Sequence, residues 1–148
     1  MHPFDWRTVV FARHAQHVVL VHFPLALCIT GVAFDFIAHS TGKAVLASAA
    51  YYNLLVAALS APVVVATGIA AWQLQLEGQR LHGVLLLHLI LGTASAGLIW
   101  LVWWMHYRTF RKGLTAASYR LPLELFAASV LVLTGHLGGF VSGVNVAH

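Results

Sequence analysis

Read for polar and apolar positions, the chain divides into four long apolar runs separated by three short polar breaks. The runs cover about 16–38 (QHVVLVHFPLALCITGVAFDFIA), 46–73, 83–105 and 122–146. The breaks are HSTGK at 39–43, QLQLEGQR at 73–80 and HYRTFRKGLTAASYR at 106–120. Crossing a bilayer's hydrocarbon core takes roughly 20 apolar residues as a helix. Each run meets that length, so the pattern predicts four transmembrane α-helices. They use nearly the whole chain, which leaves one domain, 1–148, and no room for a second. No internal repeat, low-complexity tract or heptad seam is visible. The expected fold is an all-α integral membrane protein, a four-transmembrane-helix bundle.

Composition agrees and narrows the function. The chain has 148 residues, 60% hydrophobic and only 8% charged, too few charges to cover a water-soluble domain. In a soluble protein the net charge of +4 would point to nucleic acid. Here the cations flank apolar runs, so anionic lipid headgroups are the simpler partner. Cys28 is the only cysteine, which excludes an intrachain disulfide, a CxxC pair and a CxxCH haem attachment site. It reads as a small apolar residue. The N-terminus, MHPFDWRTVVFARHAQH, mixes Asp5 with Arg7 and Arg13 and shows no small-residue cleavage site. The first run is therefore expected to stay as a span.

Four crossings put both termini on one face of the membrane. That face carries Arg7, Arg13 and Arg80, offset by Asp5 and Glu77; the other carries Lys43, Arg108, Arg111, Lys112 and Arg120. The positive-inside rule makes the second face cytoplasmic and puts both termini outside. Aromatic residues suited to membrane interfaces cluster accordingly: Tyr51, Trp100, Trp103, Trp104 and Tyr107 towards the opposite face, Trp6 and Trp72 towards the terminal one.

The candidate chemistry lies in the histidines, of which there are 10. An imidazole inside hydrocarbon needs a partner, so each is a functional candidate. At the rise of an α-helix, His22 and His88 each fall about 9 Å below the terminal face. His136, on a helix running the other way, falls roughly 10–15 Å below it. His17 and His82 lie at that boundary, with His14 just outside. Three helices thus bring a histidine to one level, which suits a cofactor held between them. Non-covalent haem b takes axial imidazoles from facing helices of a bundle. Gly139 and Gly143 share a stripe with His136, and Gly92 and Ser95 a stripe with His88, giving small residues for porphyrin clearance. Arg13 and Arg80 stand where propionates would emerge.

Plainer readings exist for each feature. Any one histidine alone more often packs or hydrogen-bonds. Gly135, Gly139 and Gly143 also fit a small-xxx-small helix contact. Pro24 loosens the first helix beside His22, whether or not it aims the ring. Asp35 and Glu124 are expected to pair with Lys43 and the basic 108–120 segment, with proton uptake as the alternative. A second haem level would need His39 and His106, each about 26 Å along its helix from His22 and His88. Both are expected among loop residues at the opposite face, so one haem is the expectation and two the alternative.

Several segments resemble a known family. HVVLVHFPLAL at 17–27, APVVVATGIAAW at 61–72, RLHGVLLL at 80–87 and GHLGGFVSGVNV at 135–146 follow in the order of the bacterial membrane family called domain of unknown function 2231. The resemblance implies a four-helix protein of the bacterial inner membrane and periplasmic redox proteins as partners. It also implies that His17, His22 and His82 occupy family histidine positions, whereas Val18 replaces a proline. The axial pair is then His22 with His82, or one that uses His88 or His136.

The reading that joins these observations is a membrane cytochrome b that carries electrons and transforms no substrate itself. It would exchange electrons with a periplasmic redox protein or c-type cytochrome, with quinone, or within a larger membrane complex. His22 is the first ligand candidate, opposite a histidine of the third or fourth helix; His17, Arg13 and Arg80 are candidates for propionate or supporting contacts. The alternatives are a cofactor-free anchoring subunit and a copper- or zinc-handling protein. Against the metal reading, the chain has one cysteine, two methionines and no acidic residue at mid-depth. No nucleophile sits in a setting that suggests hydrolase or transferase chemistry.

Overall fold

Four helices form on the four apolar runs: α1, Arg13–Thr41; α2, Ala44–Gln75; α3, Gly83–Lys112; and α4, Arg120–Val141. The computed structural model describes residues 13–75, 78, 80–112 and 118–142. All four helices are long and apolar enough to cross a membrane. The 22 residues of α4 span about 33 Å, one hydrocarbon thickness. The longer α1, α2 and α3 reach beyond it. Gly42 makes the turn between α1 and α2 with a φ of 68°, a left-handed conformation that glycine adopts without a Cβ penalty. Its N–H closes back on the Ala38 carbonyl at 2.8 Å.

Each helix packs on the next, and α4 packs on α1, so the four close into a ring. Buried positions step by three or four along each helix, the spacing of one helical face. On α1 they include Pro24, Cys28, Val32, Asp35 and Ala38; on α3, Ser95, Ile99, Val102 and His106; on α4, Glu124, Ala127, Leu131 and Thr134. The sequence reading found no such seam. The reason is that the outer face is equally apolar: Phe23, Phe36, Leu59, Ile90, Phe126 and Leu133 are all exposed on the bundle. In a membrane these side chains meet lipid, so apolar character no longer distinguishes inside from outside.

The packed middle of the bundle consists of Cys28, Leu54, Ala57, Ala58, Ile99, Val102, Ala127 and Leu131. Small residues let backbones approach: a Cβ added at Gly31 on α1 would lie 2.9 Å from Leu54 Cγ on α2. Close approach of this kind supplies dispersion contact where lipid offers no hydrophobic driving force.

Two boundaries differ from the sequence reading by more than three residues. Helix α3 runs on to Lys112, so His106 is helical and 6% exposed, not part of a surface loop. Phe110 stacks on Tyr51 with ring centroids 4.7 Å apart, and His106 bonds to Glu124, which holds the extra two turns against the bundle. Helix α4 stops at Val141 with Ser142 as its C-cap; the remainder of the expected span, 143–146, lies outside the described residues.

Candidate functional site

The seams decide which histidines face inward. His17 precedes Asp35 on α1, and His88 precedes His106 on α3, by the same interval. That interval is about five whole turns of α-helix, so each pair shares a face. His17 sits about 6 Å and His88 about 8 Å from the start of its helix, at the end of the bundle that holds the chain termini. Both line a cavity of about 390 Å³ between the helices, within the range of small-molecule sites. Its walls are almost wholly apolar and include Val21, Pro24, Ala61, Val65, Trp72, Leu85 and Leu131.

Hydrogen bonds set both rings in the same tautomer. The Thr134 carbonyl accepts from His88 Nδ1 at 3.1 Å, so the lone pair of the neutral ring is on Nε2. Thr67 donates its hydroxyl proton to the Val64 carbonyl at 2.8 Å. Its oxygen is then the acceptor for His17 Nδ1 at 3.1 Å, which again puts the lone pair on Nε2. Nδ1–H held by an oxygen is the arrangement that orients metal-ligating histidines. Ser95 completes the polar strip by donating to Thr134 Oγ1 at 3.0 Å, since the Thr134 hydroxyl donates to Val130 at 2.8 Å.

Each ring also rests on a glycine. A Cβ at Gly68 on α2 would come within 2.9 Å of His17 Cε1, and one at Gly138 on α4 within 3.0 Å of His88 Cε1. Both glycines are on faces turned inward, where any side chain would displace the imidazole. The sequence reading singled out Gly139 for porphyrin clearance and passed over Gly138, the glycine that meets the His88 ring.

The other expected ligands are not brought to this cavity. His22 is exposed on the outer side of α1, with Nδ1 on the Val18 carbonyl at 2.7 Å. Counted round the helix from Asp35, it stands about 140° off the seam. His136 is exposed on α4, edge-on to Phe140 at 5.1 Å. The same count from Glu124 puts it about 120° off. His82 is exposed in the connection before α3. Arg80 is exposed in the same connection, next to Leu81 of the cavity wall. The side chain of Arg13 lies outside the described residues, as does Gly143. The sequence reading grouped His22, His88 and His136 by depth, and depth alone does not say which way a ring points.

A second constellation fills the opposite end. Asp35, His106 and Glu124 come from three helices and are 2%, 6% and 0% exposed. His106 Nε2 and Glu124 Oε1 are 2.7 Å apart. Arg120 Nη2 lies 3.0 Å from Asp35 Oδ2, an ion pair by distance whose angle falls outside hydrogen-bond geometry, and Arg120 Nε lies 3.6 Å from Glu124 Oε1. The expected pairing of both acids with the basic segment is thus met by Arg120. His106 is bonded to Glu124, and His39, the other histidine of the alternative haem level, is exposed. Asp35, His106 and Glu124 offer ligand atoms within 4.8 Å of one another, a spacing that suits a metal ion by distance alone. The Arg120 guanidinium beside both carboxylates opposes a further divalent charge.

No curated protein and no solved structure matches the chain. A family model described as a predicted membrane protein, DUF2231, matches residues 13–147. This span takes in all four helices, both histidines of the cavity and the whole ion network, so the chain belongs to the DUF2231 family of predicted membrane proteins.

Proposed function

We propose that this multi-pass membrane protein is a b-type cytochrome, an electron-transfer subunit that holds one haem b between His17 and His88. The observation that carries the reading is the matched pair. Two helices running the same way bring imidazoles at one level to one apolar cavity, both with Nδ1–H held by oxygen and both seated on glycine. A haem b there would be held by the two imidazoles in an apolar slot between helices. It would supply one-electron transfer there. Zinc, by comparison, takes about four protein or water ligands, more than these two rings provide. Quinone carbonyls need hydrogen-bond donors, whereas Nε2 of these tautomers accepts; quinone is better placed as an exchange partner in the bilayer than as the ligand of this pair.

In this reading Gly68 and Gly138 keep the rings in place, Trp72 and the aliphatic walls exclude water, and Arg80 at the rim offers a cation to a propionate. The site lies at the terminal end, the periplasmic one by charge asymmetry if the host membrane is the bacterial inner membrane. A periplasmic redox protein or c-type cytochrome, or a neighbouring subunit of a larger complex, is then the natural electron partner. The test is a reduced-minus-oxidised spectrum with a pyridine haemochrome assay on the purified protein. Expected are a b-type α-band at one haem per chain, its loss in His17→Ala and in His88→Ala, and its retention in His22→Ala and His136→Ala. Absence of the band in the unmodified protein, or its survival in both cavity variants, overturns the reading and favours an anchoring subunit.

A further inference from the structure

The ion network at the opposite end has a charge count that points to a ligand of its own. Asp35 and Arg120 balance one another. His106 and Glu124 remain, and with a neutral imidazole and an ionised carboxylate the network would hold one uncompensated negative charge inside the bundle. Isolated buried charge is strongly disfavoured. One proton between His106 Nε2 and Glu124 Oε1, 2.7 Å apart, brings the total to zero, whether it resides on nitrogen or oxygen. A divalent metal ion in the same place would instead leave one net positive charge.

Access is one-sided. A cavity of about 170 Å³, ample for water, is lined by Asp35, His39, Lys43, Ala47 and Arg120, and His39, Lys43 and Ala47 are exposed at its mouth. It reaches Asp35 and Arg120, the members of the network that border His106 and Glu124, from the face opposite the chain termini. Towards the other face the packed layer of Cys28, Leu54, Val102 and Ala127 lies between His106 and the larger cavity, whose wall reaches Ile99, about 10 Å back along α3. The ionisable groups around the pair are Asp35 and the Cys28 thiol from α1, and Arg120 from α4. His39 and Lys43 stand at the cavity mouth. From α2 the cavity receives only Ala44 and Ala47, while Tyr51 at the same level is stacked on Phe110.

We propose that His106 and Glu124 form a proton-binding site that loads one proton through the Asp35–Lys43 cavity and is closed to the face bearing the termini. The loading is a protonation without change of oxidation state: a water-borne proton adds to the pair, and its release reverses the step. This site stands independently of any haem.

The test uses the full-length protein in lipid nanodiscs, with histidines labelled by nitrogen-15 and followed by NMR across pH. The His106 resonance, assigned by its loss in His106→Gln, should titrate by one proton. Glu124→Gln, which removes the carboxylate, should move its midpoint by at least about one pH unit. Ala47→Phe, filling the small cavity, should slow hydrogen–deuterium exchange at the His106 ring about tenfold or more, and it leaves the network intact should Glu124→Gln fail to fold. A His106 signal that is unchanged across the pH range, exchange unaffected by Ala47→Phe, or stoichiometric zinc binding abolished by His106→Gln would each overturn the proposal.

Discussion

At its two ends the bundle treats histidine in opposite ways. Near the termini, His17 and His88 border open space and are held by neutral oxygens, a hydroxyl and a carbonyl. Near the other end His106 is enclosed and bonded to a carboxylate, which is in turn beside a guanidinium. A neutral partner sets a ring's tautomer without adding charge. A carboxylate partner turns the ring into one half of a proton-sharing pair. The same side chain thus sits in two chemical settings, and the difference comes from what neighbouring helices bring to it. The packed layer around Val102 and Ala127 keeps the two regimes apart.

The sharpest way to break this contrast is to remove a charge from the network. Arg120→Leu leaves Asp35 and Glu124 without their cation. The expected cost is about 3–5 kcal/mol, as for other broken buried ion pairs, read as a lowered unfolding temperature in detergent by circular dichroism. Adding Asp35→Asn should recover part of it. If Arg120→Leu alone melts with the unmodified protein, the network is not a closed set of charges.

At the cavity end, effects should be steric and smaller. Gly138→Ala drives a methyl to 3.0 Å from His88 Cε1, an overpacking that costs about 1–3 kcal/mol and should lower haem incorporation. Gly97→Ala is the matched control, because nothing lies within 4 Å of its added carbon; it should keep both stability and incorporation. Equal behaviour of the two variants would remove the argument that glycine seats the ring.

Smaller again is the loss of one orienting bond. Thr67→Val keeps the shape but deletes the acceptor for His17 Nδ1, worth about 1 kcal/mol in stability. Haem retention should weaken about tenfold, measured by transfer to apomyoglobin. His22→Ala, on the outer side of α1, should change neither melting nor spectrum beyond error. A large effect there would shift the functional surface from the cavity to the outside of the bundle.

Much of this was readable from residue order. Long apolar runs between basic breaks specify helix number and length, because hydrocarbon thickness and helical rise are both constant. The same arithmetic gave each histidine a position along its helix, though it set His22 rather than His17 beside His88. Its direction was harder, since every face of these helices is apolar, but a signal existed. His17 with Asp35 and His88 with His106 are each separated by about five whole turns, and ionisable groups inside a span avoid lipid. Groups that share a phase therefore mark the inner face, while His22 and His136 fall out of phase with Asp35 and Glu124. That phase singles out His17, where depth had favoured His22.

The chain by its own order determined a four-helix membrane bundle and its polar connections. Only tertiary packing decided that Gly68 and Gly138 would cradle His17 and His88, that Thr67 and Thr134 would set their tautomers, and that Arg120 would join Asp35 to Glu124. Each of these contacts joins residues on different helices or depends on how one helix turns towards another. Rise along an axis is encoded residue by residue, whereas rotation about it is settled when four surfaces interlock.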